Sequence, residues 1–116
     1  MLYGLAALVA YVALTHWAAG RDPVIAYNTV WSPLLRRLIA KRMVAITLWH
    51  RVFILRPPPF KLSVAGKAHE LVHVRQFRRW PSTFPFRYAW ASVVAWRKGL
   101  DPYRDNIFER EARGEA

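Results

Sequence analysis

Apolar residues form one unbroken run near the start of this chain, a run rich in β-branched residues in the middle, and stretches with helical spacing towards the end. Residues 2–19 carry no formal charge and are apolar on every side of a helix, which predicts an α-helix of about 27 Å rather than an amphipathic surface helix. Because the hydrocarbon core of a bilayer is roughly 30 Å thick, two interpretations stand: a membrane anchor or a buried helix. The basic residues that follow would place the rest of an anchored chain on the cytoplasmic side.

The middle of the chain has a different pattern. Residues 43–55 are dense in β-branched and aromatic side chains, which predicts one or two strands, with a hairpin turning near residues 49–50. The prolines at 57–59 end this region. Upstream, an irregular connection begins at Asp22, and a short basic helix is predicted over residues 32–42 from its Ser-Pro start.

Three helices are predicted in the remaining chain. One begins near Ser63 and ends before Pro81, the second runs from residue 82 or 83 to Gly99, and the third is a short helix over residues 107–116. The spacing of apolar residues in the second helix predicts a core face of Phe86, Ala89, Trp90, Val93 and Val94. The chain is therefore an α+β protein with an apolar helix (1–20) and one domain (21–116).

The first of these helices carries a candidate metal motif, His-Glu-x-x-His. His69 and His73 are one turn apart on the same face, so both imidazoles can reach one metal ion. Glu70 is close enough in the helix to touch a water molecule on that ion, and Gln76 continues the same face. Arg79 occupies the position of the third histidine of the longer metzincin motif, so that arrangement is absent.

Composition narrows the choice of ligands. The 116 residues include no cysteine, so a metal must be held by histidines and carboxylates.

Eighteen basic residues against seven acidic ones give a net charge of +11, and six of the seven acids are Glu70 or lie downstream of it. The surplus is typical of proteins that meet anionic lipids or nucleic acids, and also of an ordinary solvated surface.

A third ligand is expected from the last helix. Glu109 is followed three residues later by Ala112, a small residue that would let this helix approach the motif helix closely. Two alternatives remain open: Glu109 is a capping-box residue at the third position of a helix capped by Asn106, or the ligand is Glu111 or Asp105.

His-Glu-x-x-His followed by a helix-borne Glu-x-x-Ala resembles the gluzincin zinc metallopeptidases, and the short chain is similar to their minimal members, the minigluzincins. The residues that carry the resemblance downstream are Tyr103, Asn106, Phe108 and Glu109. The resemblance covers residues 43–113. It implies a minimal zincin-like fold, in which a small hairpin or sheet packs on the active-site helix beside two or three further helices.

The resemblance also implies roles for the site residues. His69, His73 and Glu109 would bind Zn²⁺, which would activate water for hydrolysis of a peptide bond, with Glu70 as the general base. The substrate would be a peptide or protein, and a minimal enzyme of this kind would be latent if a terminal segment filled its cleft.

Supporting roles are more open. Tyr103 and Arg104 are candidates for stabilising the oxyanion, although Tyr103 is also a typical buried structural residue. Gln76 and Asn106 are candidates for supporting a ligand or contacting substrate. Arg113 stands where many gluzincins have an Asp that supports a zinc-bound histidine, so the support must come from elsewhere or the site is degenerate.

Three functions follow from these features. The first is a zinc-dependent peptidase, latent or membrane-associated, and the second is a membrane-associated zinc-binding protein without catalysis. The third is a basic protein that binds nucleic acid or anionic lipid through the arginines near Trp80. Nucleic acid is the least favoured partner because no nucleic-acid-binding motif occurs.

Overall fold

The computed structural model describes residues 2–27, 44–56 and 59–115. In these ranges the chain forms four helices and a three-stranded sheet, which confirms the α+β class with an apolar N-terminal helix. In chain order the elements are α1 (Leu2–Ala19), β1 (Val24–Tyr27), β2 (Ala45–Leu48), β3 (Arg51–Ile54), α2 (Val64–Arg79), α3 (Phe84–Arg97) and α4 (Ile107–Ala112). The helix predicted over residues 32–42 lies outside the described residues.

The predicted hairpin is confirmed as the antiparallel pair β2–β3, in which Leu48 is opposite Arg51. Its turn contains Trp49 at a φ of 56°. This left-handed backbone conformation is energetically unfavourable for any residue that has a Cβ atom. The Trp49 side chain compensates by donating from Nε1 to the carbonyl of Pro81 at 2.7 Å and by packing on Phe77. The turn is thus fixed to the end of α2.

The sheet has a third strand that the sequence pattern did not predict. β1 pairs in parallel with β3, with Val24 opposite Arg51, so the strand order is β1-β3-β2. Residues after Asp22 were expected to be irregular. The local sequence did not predict this strand because four residues carry little pattern of their own, and the strand is specified by its partner far along the chain.

α2 lies against the sheet and begins where predicted, since the Ser63 hydroxyl accepts a hydrogen bond from the Gly66 amide at 3.0 Å. Its inner face packs with alternate residues of β2 and β3. The buried members of this core are Ala45, Val52, Ile54, Leu62 and Val74. The sheet therefore holds the motif helix in place along one face.

A second, aromatic core joins the three C-terminal helices. Phe77 of α2, Phe84 of α3 and Phe108 of α4 are buried together, with ring centroids 4.6 Å apart for Phe77–Phe84 and 5.0 Å for Phe84–Phe108. Edge-to-face packing of this kind is favourable and directional. It fixes α4 against α2, although a six-residue helix would not be stable alone.

α3 lies within the predicted range, beginning at Phe84 and ending at Arg97, but its predicted core face is wrong. Phe84, Ala91 and Ala95 are the buried residues, whereas Phe86 is 68% exposed and Trp90 is 63% exposed. The helix is apolar on two opposite faces, so periodicity alone did not distinguish the face that packs inward.

α1 is not a buried helix, because Thr15 and Ala19 are its only buried residues. Its last two turns contact the protein body at the turn before α3. There the Tyr11 hydroxyl donates to the Ser82 carbonyl at 2.7 Å, and the Thr15 and Ser82 hydroxyls are 2.8 Å apart. By length and composition α1 is a candidate membrane span.

Candidate metal centre

Helix α2 presents both histidines of the motif to a carboxylate of α4. The Nε2 atom of His69 is 3.5 Å from Oε1 of Glu109, and the Nε2 atom of His73 is in direct contact with the same oxygen. One ligand atom from each of the three residues lies within 4.8 Å of the others. The residues meet because Ala112, on the turn after Glu109, is small and buried, so α4 approaches α2 closely.

Glu109 is 2% exposed and has an unusual environment. Burial alone would raise the pKa of its carboxyl, but hydrogen bonds and charges from His69 and His73 hold that pKa at about 2. Among the described residues, its second oxygen, Oε2, is buried without a hydrogen-bond partner. A buried carboxylate oxygen in this state is costly, and a metal ion would satisfy it.

Gln76 fixes the ring of His73. The Nε2 amide of Gln76 donates to the Phe108 carbonyl at 3.1 Å, so its Oε1 faces His73 Nδ1 at 2.8 Å. Because a carboxamide oxygen only accepts, His73 Nδ1 must carry the hydrogen, which leaves Nε2 directed at Glu109. Burial would lower the pKa of His73, but Glu109 and, less strongly, Gln76 raise it above its usual value.

Glu70 is buried beside the histidines, and its carboxylate is oriented by β2. The Thr47 hydroxyl donates to Glu70 Oε2 at 2.8 Å. This contact joins residues 23 positions apart, so the motif alone gave no indication of Thr47. The hydrogen bond holds one carboxylate oxygen, and Glu70 also lines the adjoining cleft.

The cleft beside the site has a volume of about 240 Å³. Its polar lining comes from Thr47, Glu70, His73, Glu109 and two tyrosines, and the rest of its wall is apolar. The apolar lining residues are Ala45, Ile46, Leu48, Phe77, Phe84 and Pro85. Within the described part of the chain, neither α1 nor any residue after Glu109 lines it.

The two tyrosines of the cleft are Tyr88 and Tyr103. Burial, followed by the charge of Glu109, raises the pKa of both hydroxyls, so both remain protonated at neutral pH. Tyr103 was a candidate from the sequence. Tyr88, on α3, was missed, because it was counted on neither the core face nor the metal face of its helix.

Asn106 has a structural role at the start of α4. It is fully buried, its Oδ1 accepts from the Phe108 amide at 2.9 Å, and its Nδ2 donates to the Tyr88 carbonyl and to Ser92. It therefore caps α4 as expected and also ties that helix to α3. The Glu109 side chain faces the two histidines, which is not the reciprocal contact of a capping box.

The other candidate residues lie away from the histidines. Glu111 is exposed, and Asp105 accepts from the Asp101 amide at 2.8 Å within the loop before α4. Arg104 is exposed, and its carbonyl accepts a hydrogen bond from the Arg113 guanidinium, which also pairs with a neighbouring carboxylate. The structure thus brings neither Glu111 nor Asp105 into the metal-ligand group.

The donor set suits zinc. Two imidazole nitrogens and one carboxylate oxygen form a common catalytic zinc environment that leaves a fourth position open. The 3.5 Å separation between His69 Nε2 and Glu109 Oε1 is close to the roughly 3.3 Å expected between two ligands of a tetrahedral zinc ion. His73 Nε2 is closer to the same oxygen than two zinc ligands can be, so the Glu109 or the His73 side chain must shift for an ion to bind.

Comparison with known proteins adds no family or relative. No protein-family model matches the chain, and searches of the curated proteins and of the solved structures find no match.

Proposed function

We propose that this protein is a zinc-dependent peptidase of a zincin-like type. The observation that supports it most strongly is the group formed by the half-buried His69 and the buried His73 and Glu109, together with Glu70, which lines the same cleft as His73 and Glu109. When bound, zinc supplies Lewis-acid polarisation of a carbonyl and increases the acidity of water. The protein must supply a base, hydrogen-bond donors and a surface for the peptide.

Glu70 is the proposed general base. Thr47 holds one of its oxygens, so the other is free to take the proton of an attacking water and deliver it to the leaving amine nitrogen. A hydroxyl donor to the carboxylate also restricts its rotation, which keeps the proton-accepting oxygen directed into the cleft.

Tyr88 and Tyr103 are the proposed donors to the oxyanion. Both line the cleft, and burial and the charge of Glu109 keep both hydroxyls protonated. The Tyr103 hydroxyl also hydrogen-bonds to Glu109, so it would have to turn from that carboxylate to the oxyanion. Preorganised donors in a partly desolvated cleft stabilise developing negative charge effectively. Arg104 is not favoured for this role because it is exposed in the loop before α4.

An extended apolar peptide is the proposed substrate. β2 is an edge strand of the sheet and contributes residues to the cleft wall, so its outer edge can pair with an extended chain by strand addition. The remaining wall is mostly aliphatic and aromatic, which suits an apolar side chain next to the cleaved bond.

The test is zinc content and peptide cleavage in matched variants. Wild type and Glu111→Ala should each hold one zinc per chain when purified without chelator, whereas Glu109→Ala should lose it. With zinc bound, Glu70→Gln should retain the metal and lose cleavage of a mixed peptide library by a factor of roughly 10²–10⁴, as expected for removal of a general base.

Other results would favour the alternatives. Zinc in wild type without cleavage of any peptide would support a non-catalytic zinc-binding protein. Zinc retained by Glu109→Ala would move the third ligand elsewhere. Absence of zinc from wild type, even after zinc is added, would contradict the proposal and favour a basic protein that binds anionic lipid or nucleic acid.

A further inference from the structure

Helix α3 exposes an apolar stripe on the side opposite the core. Phe86, Trp90, Val93 and Trp96 follow one another at spacings of four, three and three residues, and they are 68%, 63%, 41% and 67% exposed. Between Phe86 and Trp96, Arg87 is the only charged residue. A surface helix of a protein in water normally has a polar outer face, so this arrangement fits an apolar environment outside the protein.

The charge around the stripe has one sign. Residues 71–100 include six basic residues and no acidic residue. On α3 and just after it, the basic residues are Arg87, Arg97 and Lys98. Basic residues at the edge of an apolar helix face are typical of helices that lie on anionic membranes, and tryptophan is enriched at the level of the lipid headgroups.

The stripe is also connected to the candidate membrane span. α1 is exposed and apolar along its first half, and its Tyr11 and Thr15 bind Ser82 in the turn that leads into α3. The beginning of α3 is therefore held beside the middle of α1. If α1 enters a bilayer, the start of α3 lies close to the same bilayer.

We propose that α3 lies in the interface of an anionic lipid bilayer, with Phe86, Trp90, Val93 and Trp96 in contact with lipid. The helix has 14 residues, about 21 Å, which is too short to span the hydrocarbon core. A second copy of this chain is a less suitable partner for the same face. Two copies, each with a net charge of +11, would bring like charges together, whereas anionic headgroups neutralise them.

The chain contains no cysteine, so single cysteines can carry a spin label in the full-length protein. Trp90→Cys and Val93→Cys test the stripe, and Lys61→Cys is the control. Lys61 is exposed and precedes α2, whose 16 residues separate it by about 24 Å from the end that contacts α1. All three side chains are exposed, so the substitutions should leave the fold intact, which circular dichroism would check.

Each labelled protein is reconstituted into vesicles of phosphatidylcholine and phosphatidylglycerol. At positions 90 and 93 we expect high collision rates with oxygen and low rates with a water-soluble nickel chelate, and the reverse at position 61. In phosphatidylcholine alone the labels at 90 and 93 should be shallower, since the electrostatic attraction is absent.

Three results would overturn the proposal. Nickel access at 90 and 93 equal to that at 61 would place the stripe in water. Spin–spin broadening with low access to both reagents would indicate that a second copy covers it. Equal label depth with and without phosphatidylglycerol would exclude the anionic lipid as the reason for contact. Zinc binding enters none of these measurements, so their outcome is independent of the proposed peptidase.

Discussion

At the scale of single residues, Gln76 links the two helices that form the metal group. It accepts a hydrogen bond from His73 and donates one to a backbone carbonyl of α4, so the orientation of a ligand depends on the position of the neighbouring helix. Arg113 pairs with Glu115 and so supplies no support to the histidines, which the sequence analysis expected from elsewhere. The support that the histidine needs therefore comes from an amide on its own helix.

Gln76→Leu should weaken zinc binding roughly 10- to 100-fold, because His73 Nδ1 would lose its partner. It should also lower the free energy of unfolding by about 1–3 kcal/mol, since the buried Nδ1–H donor of His73 would be left without an acceptor and the contact with the Phe108 carbonyl would be lost. Chelator competition and urea unfolding measure the two effects. Arg75→Leu, on the exposed side of the same helix, is the control and should change neither by a comparable amount.

The His73–Glu109 pair should stabilise the metal-free protein most strongly between about pH 4.5 and 6.5. The pKa of Glu109 is lowered from 4.5 to about 2, so its contribution is present above pH 4.5 and is lost as pH falls towards 2. The pKa of His73 is raised from 6.5, so its contribution is present below pH 6.5 and is lost as pH rises through the raised value.

Urea unfolding of chelator-treated protein across this pH range is the measurement. Glu109→Gln should flatten the profile, because it removes the charge that both shifts depend on. A wild-type profile as flat as that of the variant would show that the pair is not formed in the metal-free protein.

At the scale of elements, α4 depends on its neighbours. Asn106 makes three hydrogen bonds that cap α4 and tie it to α3. Asn106→Ala should therefore lower the free energy of unfolding by about 2–3 kcal/mol. Ile107→Ala, at the first position of the same helix and 62% exposed, should cost less than about 1 kcal/mol, and equal losses in the two variants would contradict this assignment.

Zinc should also order α4. Because Glu109 lies on this six-residue helix, zinc binding should slow hydrogen exchange at the amides of residues 107–112 and leave β3 unchanged. Mass spectrometry with and without zinc checks this expectation. Protection that appears equally in Glu109→Ala would mean that zinc orders the helix without that residue.

The elements differ in how far the sequence specified them. The bounds of α2, α3 and the hairpin follow from local signals such as the Ser63 cap, the proline in the first turn of α3 and the β-branched run. β1, Thr47 and Tyr88 depend on contacts between distant parts of the chain, which no local pattern encodes. The metal group was predictable because a motif fixes two of its residues and scarce acids narrow the third.

At the scale of the whole molecule, α1 is a candidate membrane anchor by its length and composition. Replacing Val9 and Val12 together by lysine should release the chain from membranes, because each charge at the centre of a span costs about 2.5–3.5 kcal/mol. Alkaline extraction of membrane fractions, followed by immunoblotting, measures the release. Val64→Lys, at a position that is 87% exposed on α2, is the control, and release of both proteins alike would argue against α1 as the anchor.

Several hydrogen bonds join α1 rigidly to the rest of the molecule. The Arg78 guanidinium donates to the carbonyls of Ala19 and Arg21, and Tyr11 and Thr15 hold the turn at Ser82. An enzyme on a flexible tether searches a wide volume around its anchor, whereas a rigidly joined one works at a single height. With α1 in a bilayer, the proposed peptidase would therefore work at one fixed height above the membrane: the same peptide placed on stalks of different length would be cut only where the stalk presents it level with the cleft.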